Sequence, residues 1–523
     1  MSQKTVRLFP HGREITSAFG RRLMESLVDN NIFLRSDCGG KGVCGKCLVN
    51  VISPEQEAGL KPACTLTVNQ EMEIEIPETS MLSSHIISKA PVVLPDFFLA
   101  SDPEPADPNA LGIAVDLGTT TIAVYLLNLG ERRILSSLSV KNPQALYGDD
   151  VMTRIGGVGN APENLSRLQG ASVRAIEWGV TSLVDSLGLD LDNLLRMAVV
   201  GNPTMIHILC GVDPAPIGVS PYQPAFYEAR QTSSRALGFD FKAIPVHTLP
   251  QVSGFLGGDI LAATLACDMD NQPVGTLLVD MGTNGELMLR GKDGLFGTSC
   301  ATGPAFEGAA LSSGMQAIPG AIDRVEIDPE TGVPTLSVLQ KSNGKAVAAA
   351  GICGSGVISG VSELLRTALM APDGRLKQVS DSPDRTYVLS PGDPTTGRNH
   401  VTLTQKDIRA VQLGKAALIT GIEFLCQAAG IPGPTRILIA GAFGSHLGKA
   451  DMLTLGMLPP LDPDRIEMVG NAAGTGAIMA VCDEKSRQKA SELAAQVSVV
   501  DLAANMAFQA QFVKSLSFSE QSN

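Results

Sequence analysis

The chain has 523 residues, 44% of them hydrophobic and 18% charged, which supplies apolar material for several cores and excludes wholesale disorder. At about 100–200 residues per domain, that length predicts about three domains. The 40 basic and 53 acidic residues leave a net charge of −13, a field that repels phosphate backbones and argues against nucleic-acid binding as the main task.

The opening MSQKTVRLFP reads as a strand rather than a secretory signal. No run approaches the length of a membrane span. Ten cysteines are too few for a disulfide scaffold in a chain this long, and a reducing cytoplasm is the expected location. Four of them, Cys38, Cys44, Cys47 and Cys64, crowd one short region.

Residues 1–78 read as a small α+β domain. Thr5 to Phe9 alternates as a strand does, and Arg21 to Asn30 carries helical spacing through Leu23, Leu27 and Val28. Cys47 to Val51 and Glu71 to Pro77 read as further strands. Between them the cysteines follow C-x5-C-x2-C-x16-C. Four thiolates hold either zinc or a 2Fe–2S cluster. Gly39, Gly40, Gly42 and Gly45 favour the cluster, because they let the loop wrap closely and turn N–H groups toward bridging sulfides. Structural zinc uses paired C-x2-C knuckles, and Cys64 has no such neighbour. The domain therefore reads as an electron port.

Residues 79–109, with Pro91, Pro95, Pro103, Pro105 and Pro108, read as an exposed, semi-extended linker. From Leu111 the texture becomes α/β. A buried strand runs into the turn Asp116-Leu117-Gly118-Thr119-Thr120, and a second apolar strand continues to Leu129. Thr276 to Leu289 repeats that grammar around Asp280-Met281-Gly282-Thr283-Asn284. This internal repeat predicts two similar lobes, 110–270 and 271–482, followed by a helical segment and tail at 483–523. A further strand ends in the turn Gly441-Ala442-Phe443-Gly444.

A lone Asp-x-Gly-Thr is an ordinary β-turn. Two of them between apolar strands suit polyphosphate: Gly removes an obstructing Cβ, Thr adds donors, and Asp116 and Asp280 hold Mg²⁺ or orient water. Gly354 and Ser355 offer further nucleotide contacts. There is neither a P-loop nor a G-x-G-x-x-G after the first strand.

The two turns and the late Gly441 turn resemble the phosphate 1, phosphate 2 and adenosine motifs of the acetate kinase/sugar kinase/Hsc70/actin ATPase superfamily. With the cysteine loop, the whole chain resembles the ATP-dependent reductive activators of corrinoid proteins. Asn142-Pro143-Gln144, Gly201 to Met205, Cys300 to Gly308, Gly351 to Gly356 and Gly470 to Ala473 are phrases similar to that family's.

The resemblance implies a β-grasp ferredoxin-like domain ahead of a two-lobed actin-like ATPase. It implies reduction of Co(II) to Co(I) through the cluster, in support of corrinoid-dependent methyl transfer. It places Asp116, Gly118, Thr119 and Thr120 on phosphate and Mg²⁺. Asp280, Gly282, Thr283 and Asn284 would form the opposing clamp, with Asp280 positioning water, and Gly441 to Gly444 would meet adenosine. A corrinoid protein is the implied partner, a reductase or ferredoxin the implied donor, and a homodimer the implied assembly. Some relatives carry an extra small domain where this chain has only 79–109. The alternatives are a ferredoxin-fused small-molecule kinase, an ATP-gated redox sensor, and an activator of a 2-hydroxyacyl-CoA dehydratase.

Several residues read as structural. His207 lies in an apolar run, Cys210, Cys267, Cys426 and Cys482 read as small buried hydrophobes, and 483–489 reads as a solvated face. His446 sits two residues past the adenosine turn, and Cys300 and Cys353 in Gly-rich loops with no second metal site suggested.

Overall fold

The computed structural model describes residues 2–9, 12–34, 40, 42, 45–81, 92–101, 107–148, 150–308, 311–340, 346–377, 385–392, 399–441, 447–502 and 505–518. The chain divides into two compact units, Met1–Ser88 with Asp96–Asp259 and Ala477–Ser491, and Lys89–Pro95 with Ile260–Gly476 and Glu492–Asn523.

The first unit begins with a mixed five-stranded sheet. Met72–Glu75 is central, parallel to Gln3–Phe9 and antiparallel to Leu48–Ser53, with Arg13–Ala18 and Gly59–Pro62 at the edges. Alternate residues Val6, Val49, Val51 and Ile74 point inward, and the helix Leu23–Asp29 covers them with Leu23 and Leu27. The helix begins later than the periodicity predicts, because Arg21–Arg22 pairs with Thr67–Val68 as a short ladder. A sheet crossed by one helix is the β-grasp, ferredoxin-like arrangement.

The larger sheet of this unit centres on Leu111–Leu117, buried throughout its length. Thr121–Asn128 and then Arg133–Lys141 lie antiparallel on one side; Leu194–Gly201 and then Pro245–Thr248 lie parallel on the other. The helix Glu163–Ser186 covers one face of this sheet.

Two expectations change here. Part of the linker is anchored: Asp96–Leu99 forms one helical turn with Phe98 buried beneath the Arg132 guanidinium, 4.5 Å from the ring centre. The 483–489 stretch is not a uniformly solvated face, since Asp483 is buried and paired with Arg132 at 3.1 Å. A buried guanidinium needs a countercharge, and local charge patterning gives no sign of one that is 351 residues away in the chain.

The second unit repeats the order of these five strands of the larger sheet. Thr276–Met281 is central, with Gly285–Arg290 and Leu295–Cys300 antiparallel on one side and Arg436–Ala440 and Ile466–Gly470 parallel on the other. The 24-residue helix Gln405–Ala428 packs on it, its first turn fixed by a Thr404–Asp407 capping box. The helix Gly354–Arg366 packs on a smaller sheet through Ala321–Ile327.

Candidate functional site

The cysteine cradle lies in the N-terminal domain. Cys47 precedes the strand Leu48–Ser53 and Cys64 follows the edge strand Gly59–Pro62; both are buried, and their sulfurs lie 3.4 Å apart. Gly40, Gly42 and Gly45 all have positive φ, a backbone conformation that glycine adopts without strain. A Cβ at Gly42 would meet the Thr65 side chain at 2.7 Å. Paired buried sulfurs beside a left-handed glycine loop fit a thiolate-held iron–sulfur group. Cys38 and Cys44, the other two expected ligands, lie outside the described residues.

The first phosphate-type turn caps the central strand of the first unit's larger sheet. Asp116 pairs with Ala123 and Val200 at the strand's end. The Gly118 N–H donates to the Thr121 carbonyl at 3.1 Å, and a Cβ at Gly118 would lie 2.7 Å from that oxygen, so the turn itself requires glycine. Three side chains then brace it. Asn142 donates from Nδ2 to the Gly118 carbonyl (2.9 Å) and from its backbone N–H to the Thr120 carbonyl (2.8 Å). Arg154, fully buried, donates from Nη2 to the Thr119 carbonyl at 2.7 Å, and Asn202 donates from Nδ2 to Thr119 Oγ1 at 2.9 Å.

The second turn has a different set of partners. The Gly282 N–H donates to the Asn284 carbonyl at 3.0 Å, and Thr283 Oγ1 donates to Glu307 Oε1 at 2.9 Å. Thr302 Oγ1 donates to the Thr283 carbonyl at 3.2 Å. Gly441 holds φ +98, where a Cβ would meet the Met281 carbonyl at 2.6 Å and Asp280 Oδ1 at 2.8 Å. Gly354 and Ser355 open the helix Gly354–Arg366, and a Cβ at Gly308, just after Glu307, would lie 3.1 Å from the Gly354 nitrogen. Asp280, Gly282, Thr283, Asn284, Gly354, Ser355 and Gly441 thus belong to one unit, and Asp116, Gly118, Thr119 and Thr120 to the other. Ala442, Phe443, Gly444 and His446 lie outside the described residues.

Sequence reasoning assigned no role to Asn142, Arg154, Asn202, Thr302 or Glu307. The two asparagines did carry a signal: each stands before proline, and each caps a helical turn with its side chain, on the Gln144 and Met205 N–H groups. Nothing local marks Arg154 or Glu307.

The remaining titratable candidates are structural. His207 is buried, stacked on Phe226, with Nδ1 2.7 Å from the Pro203 carbonyl and Nε2 accepting the Ala225 N–H at 3.0 Å. Burial pushes the Cys267 thiol up to about 12, with Asp280 nearby adding to the shift, so it is not a nucleophile at neutral pH. Cys426 and Cys482 are buried, whereas Cys210 and Cys267 are partly exposed.

A ferredoxin-like domain joined to two sheets of one order, each ending its central strand in an Asp-x-Gly-Thr turn, defines the class: an actin-like ATPase with its own electron-transfer domain. Two family models match it, "RACo middle region" over 111–272 and "C-terminal domain of RACo the ASKHA domain" over 275–523. The chain belongs to the RACo family.

The corrinoid activation enzyme RamQ of Eubacterium limosum is 28% identical across 92% of this chain and 94% of its own. A solved structure of a reductive activator for corrinoid, iron-sulfur protein has a TM-score of 0.72 at 26% identity, covering 98% of each chain. Over 81 residues, 13% of this chain and 20% of the relative, it is 31% identical to a component of the Na(+)-translocating NADH-quinone reductase of Marinomonas sp. (strain MWYL1). No helix among the described residues is long and apolar enough to cross a membrane.

Proposed function

We propose that this protein is an ATP-dependent reductive activator of a corrinoid protein, returning cobalt from Co(II) to the methyl-accepting Co(I) state. The observation that carries the reading is the joining, in one chain, of a buried thiol pair in a ferredoxin-like domain to two phosphate-type turns on duplicated sheets. The near full-length similarity to a corrinoid activation enzyme supports the same target rather than a small-molecule kinase or a dehydratase.

Cys38, Cys44, Cys47 and Cys64 would hold a 2Fe–2S cluster. When bound, it supplies one electron, becoming oxidised as Co(II) becomes Co(I), and a separate reductase or ferredoxin replaces that electron. Asp116 and Asp280 would hold Mg²⁺ or orient water. Gly118, Thr119, Thr120, Gly282, Thr283, Asn284, Gly354 and Ser355 would line the phosphates, and Gly441 to Gly444 the adenosine. Domain limits of 1–78, 79–109, 110–270, 271–482 and 483–523, a homodimer and a cytoplasmic location complete the proposal.

ATP contributes only through the difference in its affinity for two conformations. For a one-electron couple, about 59 mV is a factor of ten, so a few kcal/mol of coupling moves the cobalt couple usefully.

The test is anaerobic absorption spectroscopy of the reduced protein mixed with a Co(II) corrinoid protein. Co(I) should form only with ATP and be lost in Cys44→Ser. ATP consumption with no change at cobalt across several corrinoid partners would overturn the reading.

A further inference from the structure

The first phosphate-type turn and the cysteine cradle belong to the same unit, and one short segment touches both. Asn142 is bonded to the Gly118 and Thr120 carbonyls, and it caps the 3₁₀ turn Pro143–Leu146. Within that turn Gln144 is fully buried; its Oε1 accepts from Arg154 Nη1 at 3.0 Å, and Arg154 in turn holds the Thr119 carbonyl. All three carbonyls of Gly118, Thr119 and Thr120 are therefore tied to this one brace.

Four residues after Asn142, Leu146 joins the hydrophobic core of the N-terminal domain while also packing on that of the larger sheet. A Cβ at Gly40, in the cysteine loop, would lie 3.3 Å from Leu146 Cδ2 and 3.8 Å from the Cys64 Cβ. The surroundings make this a shared core rather than a tether. Val28 and Phe33 of the N-terminal domain pack into the core of the larger sheet, and Phe33 meets Trp178 edge-on at 6.3 Å. Arg174 holds Asp29 at 2.8 Å and the Val28 carbonyl at 3.0 Å. A small apolar cavity between Met24, Phe33 and Leu34 on one side and Pro143, Ala145 and Leu146 on the other gives the turn room to shift.

We propose that Asn142–Leu146 is a mechanical link: filling the Gly118–Thr120 turn re-seats the 3₁₀ turn, and Leu146 passes that displacement to Gly40 and, beside it, Cys64 of the cysteine cradle. Asn142 and Leu146 are positioning residues in this scheme. The inference rests on the nucleotide reading of the first turn and makes no claim about the corrinoid partner. Contiguity alone does not establish coupling; both ends must bias the same element.

Trp178 is the single tryptophan of the chain, so its emission reports on the shared core without reference to activity. The experiment uses the full, cluster-loaded chain titrated with Mg²⁺ and a non-hydrolysable ATP analogue. Trp178 emission and the EPR line positions of the reduced cluster are followed. Both signals should shift in the unaltered protein.

In Leu146→Ala both shifts should fall to about a tenth, while calorimetric affinity for the analogue stays within about threefold. Leu146→Met should restore the shifts, and Leu146→Val, the gentler truncation, should reduce them by about half even if the alanine variant folds poorly. Undiminished shifts in Leu146→Ala and Leu146→Val, or no shift in the unaltered protein, would overturn the link. Cobalt reduction measured on the same samples separates the two proposals. ATP-dependent Co(I) without any cluster or Trp178 shift sinks the link alone. Shifts that depend on Leu146, with no Co(I) from any partner, sink the corrinoid reading alone.

Discussion

The two Asp-x-Gly-Thr turns end central strands in sheets of the same order, yet they are held differently. Around the first, the side chains doing the holding are two neutral amides, buried Asn142 and half-buried Asn202, and the buried Arg154 guanidinium, and Gly118 is wedged against its own turn. Around the second, a carboxylate and a hydroxyl do the holding, and Gly282 has slack, its nearest neighbour 3.5 Å from a built Cβ. A duplicated backbone thus supplies the same phosphate-facing shape twice, while the side chains behind it differentiate an anchored turn from an adjustable one that carries an acid. The anchored turn is also the one continuous with the cysteine cradle.

The largest effect expected from this contrast is at Arg154. Arg154→Met strands the Thr119 and Gly148 carbonyls and the Gln144 side chain, a loss of about 3–5 kcal/mol for a buried charged donor. Calorimetry should show the first unit melting about 10 °C lower. A drop under about 2 °C would mean that the first turn is not anchored in this way.

Next come the paired glycines. Gly118→Ala forces backbone apart and should cost about 1–3 kcal/mol, with nucleotide affinity falling at least about tenfold. Gly282→Ala should stay within about 0.5 kcal/mol of the unaltered protein. Equal costs, read from denaturant midpoints, would break the comparison.

Glu307→Gln keeps an acceptor for Thr283 but removes the charge. If the adjustable turn is where chemistry occurs, ATP turnover should fall about 10²-fold while affinity barely moves. A matched fall in affinity would instead make Glu307 a plain support.

The smallest effects are in pH. Burial pushes the His207 imidazole below its ordinary value of 6.5, outweighing the Pro203 carbonyl that favours the charged ring. The unfolded chain then takes up a proton first, so the first unit should lose stability as pH falls through 6.5 and below. Burial pushes the Lys415 ammonium down from 10.5 to about 8, so the second unit should gain stability as pH rises through that window. Melting midpoints followed across pH should flatten in His207→Gln and Lys415→Met respectively.

The cysteine spacing, both turns, the strand at 436–440 and the duplicated sheet were legible because they are local: alternation, Gly-Thr punctuation and thiol spacing are written in consecutive residues. Helix limits were less legible, since Arg21–Arg22 joins a ladder with Thr67–Val68 that no local pattern announces. Asp483 was misread because its partner Arg132 comes from the far end of the unit in sequence.

By itself, then, the sequence determined the chemistry on offer: thiolates for a cluster, glycine turns for phosphates, and two like lobes to carry them. Only the tertiary structure decided how those parts are braced and which are joined. Arg154, Glu307 and Leu146 take their roles from neighbours 35, 24 and 106 residues away, at Thr119, Thr283 and Gly40. Contact through space is what gives a guanidinium, a carboxylate or a leucine its force at such a point, and such contacts belong to the packed chain rather than to any stretch of it.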